Sequence, residues 1–216
     1  MYSRVRLLAL LCIALLGGAA RAATVDVRVT DAQGKPVAEA VVYLESATRP
    51  AHRPRSKSPV AVAQADREFV PYVTPVLAGT AVSFPNRDPM RHHVYSFSPA
   101  KTFEIKLYRG DSPSRIVFDT PGVVALGCNI HDWMLGYLLV LETPLFDKTN
   151  ADGRARIEDV APGEYSLKLW HPDQRAAFPA RTLRVTASNA SEDAKFDVGP
   201  RPRRFKPPHD PSRYRE

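Results

Sequence analysis

The sequence predicts an all-β protein, and three observations carry that expectation. Short β-branched and aromatic runs alternate with breaks at Gly, Pro, Asn and Asp, and no long stretch repeats apolar residues at helical spacing. The runs Thr24–Thr30 and Val37–Glu45 flank Asp31-Ala32-Gln33-Gly34-Lys35-Pro36, whose residues favour a turn.

In chain order, residues 1–23 read as a signal peptide. Arg4 and Arg6 make a positive start, Leu7 to Leu16 an apolar run, and Ala20-Arg21-Ala22 a small-x-small cleavage site. Export to the periplasm follows, with no membrane span after cleavage. Residues 24–48 form a first strand pair. Thr48 to Ser58, rich in Arg, Pro and Ser, reads as an exposed linker. A middle block, residues 61–143, opens with Phe69-Val70-Pro71 and the turn-to-strand run Gly79 to Phe84. A third block, residues 144–198, repeats turn, strand, turn, strand through Asn150-Ala151-Asp152-Gly153, Ala155–Ile157 and Pro162-Gly163-Glu164-Tyr165. Residues 199–216 form a basic, Pro-rich tail that cannot bury much apolar area and is expected to be disordered.

Losing Arg4, Arg6 and Arg21 with the leader lowers the formal charge from +7 to +4, and much of that excess sits in the tail. Without basic strands interleaved with aromatics, an exported chain of this kind is not expected to bind nucleic acid. Cleavage also removes Cys12, leaving Cys128 as the only thiol. A lone cysteine in an oxidising compartment is either a buried hydrophobe or a ligand. Its neighbours favour the ligand: Cys128-Asn129-Ile130-His131-Asp132-Trp133-Met134 places thiolate, imidazole and thioether within one short turn, downstream of His92-His93. Two imidazoles, one thiolate and a weak axial thioether describe an electron-transfer copper site. Alternate strand residues face opposite ways, so only one of His92 and His93 is expected to reach the ion. Met134 is either the axial ligand or core filling beside Trp133. Asp88 and Asn86 are expected to order the loop before His92. His171 is expected to cap a strand elsewhere, and His52 and His209 lie in polar stretches without a site. Zinc fits less well, because only Asp132 offers a strong fourth donor.

The middle block resembles the cupredoxin family in the order Phe84-Pro85-Asn86-Arg87-Asp88, His92-His93-Val94, Tyr108, Gly110, Pro121-Gly122, Cys128-x2-His131 and the strand from Gly136 to Leu141. The resemblance implies a Greek-key sandwich holding one type 1-like copper ion on His92, Cys128, His131 and Met134. His92 precedes the His-Val that stands where the family has Asn-Val, so the usual Asn tie between ligand loops is missing here. The opening hairpin and the later Thr149–Gly153 and Val160–Tyr165 are similar to a carboxypeptidase regulatory-like (transthyretin-like) sandwich, which implies that the copper domain is inserted into, or packed on, that module. Exported proteins of this layout resemble those labelled as methylamine-utilisation-associated. The resemblance implies a one-electron carrier serving a redox partner protein rather than an enzyme. The remaining histidines are scattered, and no Ser-His-Asp set, phosphate-cradling loop or paired-carboxylate cleft stands out. Copper sequestration without electron transfer, and a carbohydrate-binding or adhesion sandwich, are the alternatives.

Overall fold

The computed structural model describes residues 22–46, 60–111 and 113–200. The expected leader (apart from its last two residues), the linker and almost all of the tail, with His52 and His209, lie outside the described residues. Within them the chain is all-β, with seventeen strands and no helix. In order these are β1 Ala23–Thr30, β2 Val41–Ser46, β3 Val60–Ala61, β4 Ala63–Ala65, β5 Glu68–Val70, β6 Val73–Leu77, β7 Thr80–Ser83, β8 His92–Ser98 and β9 Lys101–Tyr108. They continue as β10 Ile116–Phe118, β11 Gly122–Gly127, β12 Leu135–Leu141, β13 Phe146–Lys148, β14 Arg154–Val160, β15 Gly163–Trp170, β16 Arg181–Val185 and β17 Ala190–Lys195. β1 takes in Ala23, which sequence places in the leader; it is buried and pairs with Val160.

The strands build two sandwiches. In the first, the sheet β14-β1-β17 packs on β13-β2-β15-β16. β1 shows why its sequence forms a strand: Val25, Val27 and Val29 point into the core, while Asp26 and Arg28 alternate outward. Ile157, Leu44, Leu167, Leu169 and Phe196 complete that core. Asp31 makes the first turn by accepting the Gln33 and Lys35 N–H groups on its Oδ1. Thr149 ties the hairpin to the later strands, because its hydroxyl accepts the Ala40 N–H and donates to the Val37 carbonyl, both at 2.8 Å. His171 follows β15, and its Nδ1 accepts the Asp173 N–H.

The second sandwich uses the five-stranded sheet β6-β12-β11-β8-β9, the smaller sheet β10-β7-β3 and the hairpin β4-β5. Its core contains Val76, Val82, Phe84, Val94, Phe118, Val124, Leu126, Leu138 and Val140, and Cys128 and Met134 belong to the same cluster. All of its strands lie between β2 and β13 in the chain, while the first core draws on residues from both sides of that span.

The sandwiches share a third apolar cluster. β12 sends Leu138 and Val140 into one core and turns Leu139 and Leu141 outward onto Val41, Tyr72 and Val73, joined by Tyr43, Tyr137, Phe146 and Trp170. Period-two alternation with both faces apolar is what a strand buried on both sides requires. A polar pin beside this seam involves Glu39, which accepts the Val73 N–H and pairs with Lys148, whose ammonium also donates to the Val73 carbonyl.

Candidate metal centre

One end of the second sandwich collects the polar groups that its core excludes. Cys128 directly follows β11, His131 lies in the turn between β11 and β12, and His92 is the first residue of β8. His92 and His131 have no exposed surface and Cys128 is nearly buried, yet their donor atoms face one another. His92 Nδ1 lies 3.1 Å from His131 Nδ1. Cys128 Sγ lies 3.9 Å from the first and 3.7 Å from the second.

That triangle can be tested against a metal. With bond lengths of about 2.0 Å to imidazole nitrogen and about 2.3 Å to thiolate sulfur, a trigonal ion needs sides of roughly 3.5 and 3.7 Å. The observed sides match to within about half an ångström, so the three residues fit one cation. Among the described residues this is the group of His, Cys and acidic side chains that could hold a metal.

The electrostatics agree. Burial pushes the Cys128 thiol pKa up, opposed by the backbone N–H groups of His93, Ile130 and His131, which donate to the sulfur. Those donors are ready to stabilise a thiolate when a cation displaces the proton. Burial, then the neighbouring His92 and Arg67, holds the His131 pKa down to about 4. His92 is also lowered, by burial first, although Asp88 works against the shift. Both imidazoles are therefore neutral at pH 7, with lone pairs available to an ion.

His92 and His93 part as the strand pleat requires, helped by an irregularity in the β8–β9 register between His92 and Val94. The His93 ring turns toward Tyr95, and its Nε2 lies 3.0 Å from Glu104 Oε1 without the alignment of a hydrogen bond. His93 is buried. Its main-chain N–H donates to the Cys128 sulfur and so ties β8 to Cys128. Met134 is buried in the same core cluster, and its N–H donates to the His131 carbonyl at 2.9 Å. Trp133 packs its ring 5.1 Å from that of His131, and the Arg67 guanidinium lies over Trp133.

The loop before His92 is ordered as sequence anticipates. Asn86 Nδ2 donates to the Met90 and Tyr108 carbonyls, and its Oδ1 accepts the Asp88 N–H. Asp88 in turn accepts from His92 Nε2 at 2.7 Å. Sequence reasoning did not find the hairpin β4-β5, whose turn Asp66-Arg67 donates both N–H groups to that carboxylate at 2.7 and 2.8 Å. Such a turn needs positive φ at both central residues, a position usually taken by Asn-Gly. Here φ is 54° and 57° on Asp and Arg, so no composition signal marked it. Gln64, fully buried, was also missed; its amide and the Tyr108 hydroxyl meet at the Phe84 carbonyl below the site. Gly127 carries a signal legible only in three dimensions. A Cβ there would sit 2.7 Å from the tip of the half-buried Tyr95 ring, so a larger residue beside Cys128 would push that ring aside.

No protein-family model matches the chain, and no curated protein matches it. Solved structures do. A Cu-containing nitrite reductase (NirK) from Thermus scotoductus SA-01 is 28% identical over 39% of this chain, with a TM-score of 0.37, and the match spans only 23% of the reductase. A purple cupredoxin from Nitrosopumilus maritimus is 20% identical over 39% of this chain and 99% of its own, with a TM-score of 0.34. A point mutant of amicyanin in its reduced Cu(I) form is 18% identical over 46% of this chain and 98% of its own, with a TM-score of 0.36. The metal reading stands on the three donor atoms, not on these likenesses.

Proposed function

We propose that this chain is a periplasmic, cupredoxin-type one-electron carrier that holds a single type 1-like copper ion on His92, Cys128 and His131, with Met134 as the weak axial ligand. The observation that carries the reading is the buried triangle of two Nδ1 atoms and one Sγ. A set of two imidazoles and one thiolate favours copper, and a weak thioether such as that of Met134 suits its axial position. When bound, copper supplies a centre that gains and gives up one electron without proton bookkeeping.

The chain's own groups do the rest. Cys128 gives up its proton on loading, and three main-chain N–H groups hold the resulting anion. Strands β8, β11 and β12 fix the donors, so little needs to move when the charge of the site changes. Val94, Leu126 and Phe84, all fully buried, form part of the core beneath the site and keep water away from it. The protein acts with a redox partner rather than as an enzyme in its own right.

The visible spectrum of purified protein with added Cu(II) tests this. The expected result is an intense thiolate-to-copper band that vanishes on reduction and is absent in Cys128→Ser. A colourless complex with equal affinity for zinc overturns electron transfer and leaves sequestration. The full burial of both imidazoles is the observation that favours that second reading.

A further inference from the structure

We infer that Asp88 is a positioning residue for the metal centre: through His92 it aims one donor atom at the ion and biases the site toward the more highly charged oxidation state. The inference rests on the copper reading for its second half only. Its basis is geometric. The Asp88 side chain is 10% exposed and its Oδ2 lies 2.7 Å from His92 Nε2. Its two oxygens also accept the N–H groups of Asp66 and Arg67 at 2.7 and 2.8 Å. The two main-chain neighbours are N–H donors, and an ionised carboxylate can only accept, so the contact with His92 needs a donor on the ring. His92 must then carry its proton on Nε2, which leaves the Nδ1 lone pair facing His131 and Cys128.

An ionised carboxylate on the far nitrogen makes an imidazole a stronger donor and fixes its ring. It also places a buried negative charge one ring away from the cation, which favours Cu(II) over Cu(I). The anchor is held in place by a turn built for it. Asp66 and Arg67 adopt the left-handed conformation on residues that do not favour it, and both of their N–H groups end on Asp88. Asn86 fixes the carboxylate from the other side by accepting the Asp88 N–H.

Two measurements on the full chain test the inference. In metal-free wild-type protein, long-range proton–nitrogen NMR should find His92 protonated on Nε2; the opposite tautomer overturns the positioning role, and this readout needs neither copper nor a variant. In D88N, which keeps the shape and removes the charge, the copper band should persist. The Cu(II) dissociation constant should then rise by about 10- to 100-fold. The Cu(I) constant, measured by competition with a colorimetric chelator, should move less. Each tenfold difference between the two raises the potential by about 59 mV. Equal losses for both ions, or none, overturn the bias. Wild-type protein that takes up no copper sinks the carrier reading and the bias together, while the tautomer still decides the positioning role.

Discussion

The two sandwiches use one architecture for different ends, and their buried polar groups show how. In the first, Thr143, Thr149 and His171 spend their hydrogen bonds on turns and seams around a core of apolar side chains. In the second, His92 and His131 meet Cys128 at one end of the sheets, and Asn86 orders the loop that leads to His92. A buried polar group must find partners or it destabilises the fold. The first sandwich places the hydrogen bonds of these groups in turns and seams, whereas the second brings three donor atoms within reach of a single cation. Among the described residues, similar frameworks therefore bring a candidate metal group together in one sandwich and not in the other.

The sharpest way to break this contrast is a cavity in the first core. Leu167→Ala removes a side chain that is 1% exposed. It should cost about 2–5 kcal/mol by urea unfolding. Metal titration of the folded variant should be unchanged, and a lost or weakened metal site would mean that the two regions are not separable.

Acid should act on the second region. His131 has its pKa held down to about 4, against an ordinary value of 6.5. Between those values the unfolded chain binds a proton that the folded one refuses, so stability is full above about pH 6.5 and falls as pH is lowered toward about 4. The loss in metal-free protein should be on the order of 3 kcal/mol. The downward shift of His92 acts in the same direction. Urea midpoints at neutral and mildly acidic pH check this, and His131→Ala should flatten most of the slope.

The smallest expected effect sharpens the boundary of the site. Gly127→Ala pushes a methyl group against the Tyr95 ring. It should cost about 1 kcal/mol, because the half-buried ring can swing aside. Because Gly127 adjoins Cys128, the metal-bound spectrum should shift as well, whereas a stability loss with an unaltered spectrum would place Tyr95 outside the site's support.

Legibility in the sequence followed distance along the chain. The all-β class was readable because alternation is local: Val25, Val27 and Val29 state their strand without reference to anything else. Cys128 and His131 were readable as a pair because one turn holds both. Asn86 and Asp88 were readable as loop-ordering residues from their place just before His92, but Asp88's hold on the β4-β5 turn was not. That contact joins residues 21 and 22 positions apart through a turn whose Asp-Arg sequence gives no hairpin signal.

By itself, then, the sequence determined the all-β class, several of the strands and turns, and the kinds of donor present, since period-two burial and ligand chemistry are properties of short stretches. Tertiary structure alone decided how His93 is turned away from the thiol, what holds the far nitrogen of His92, and what lies over Gly127. Those outcomes depend on the register between β8, β9 and β11 and on the seat of a distant hairpin. Each is set by packing between segments remote in sequence, where the cost of an unmet polar group or an overlapping atom selects one arrangement.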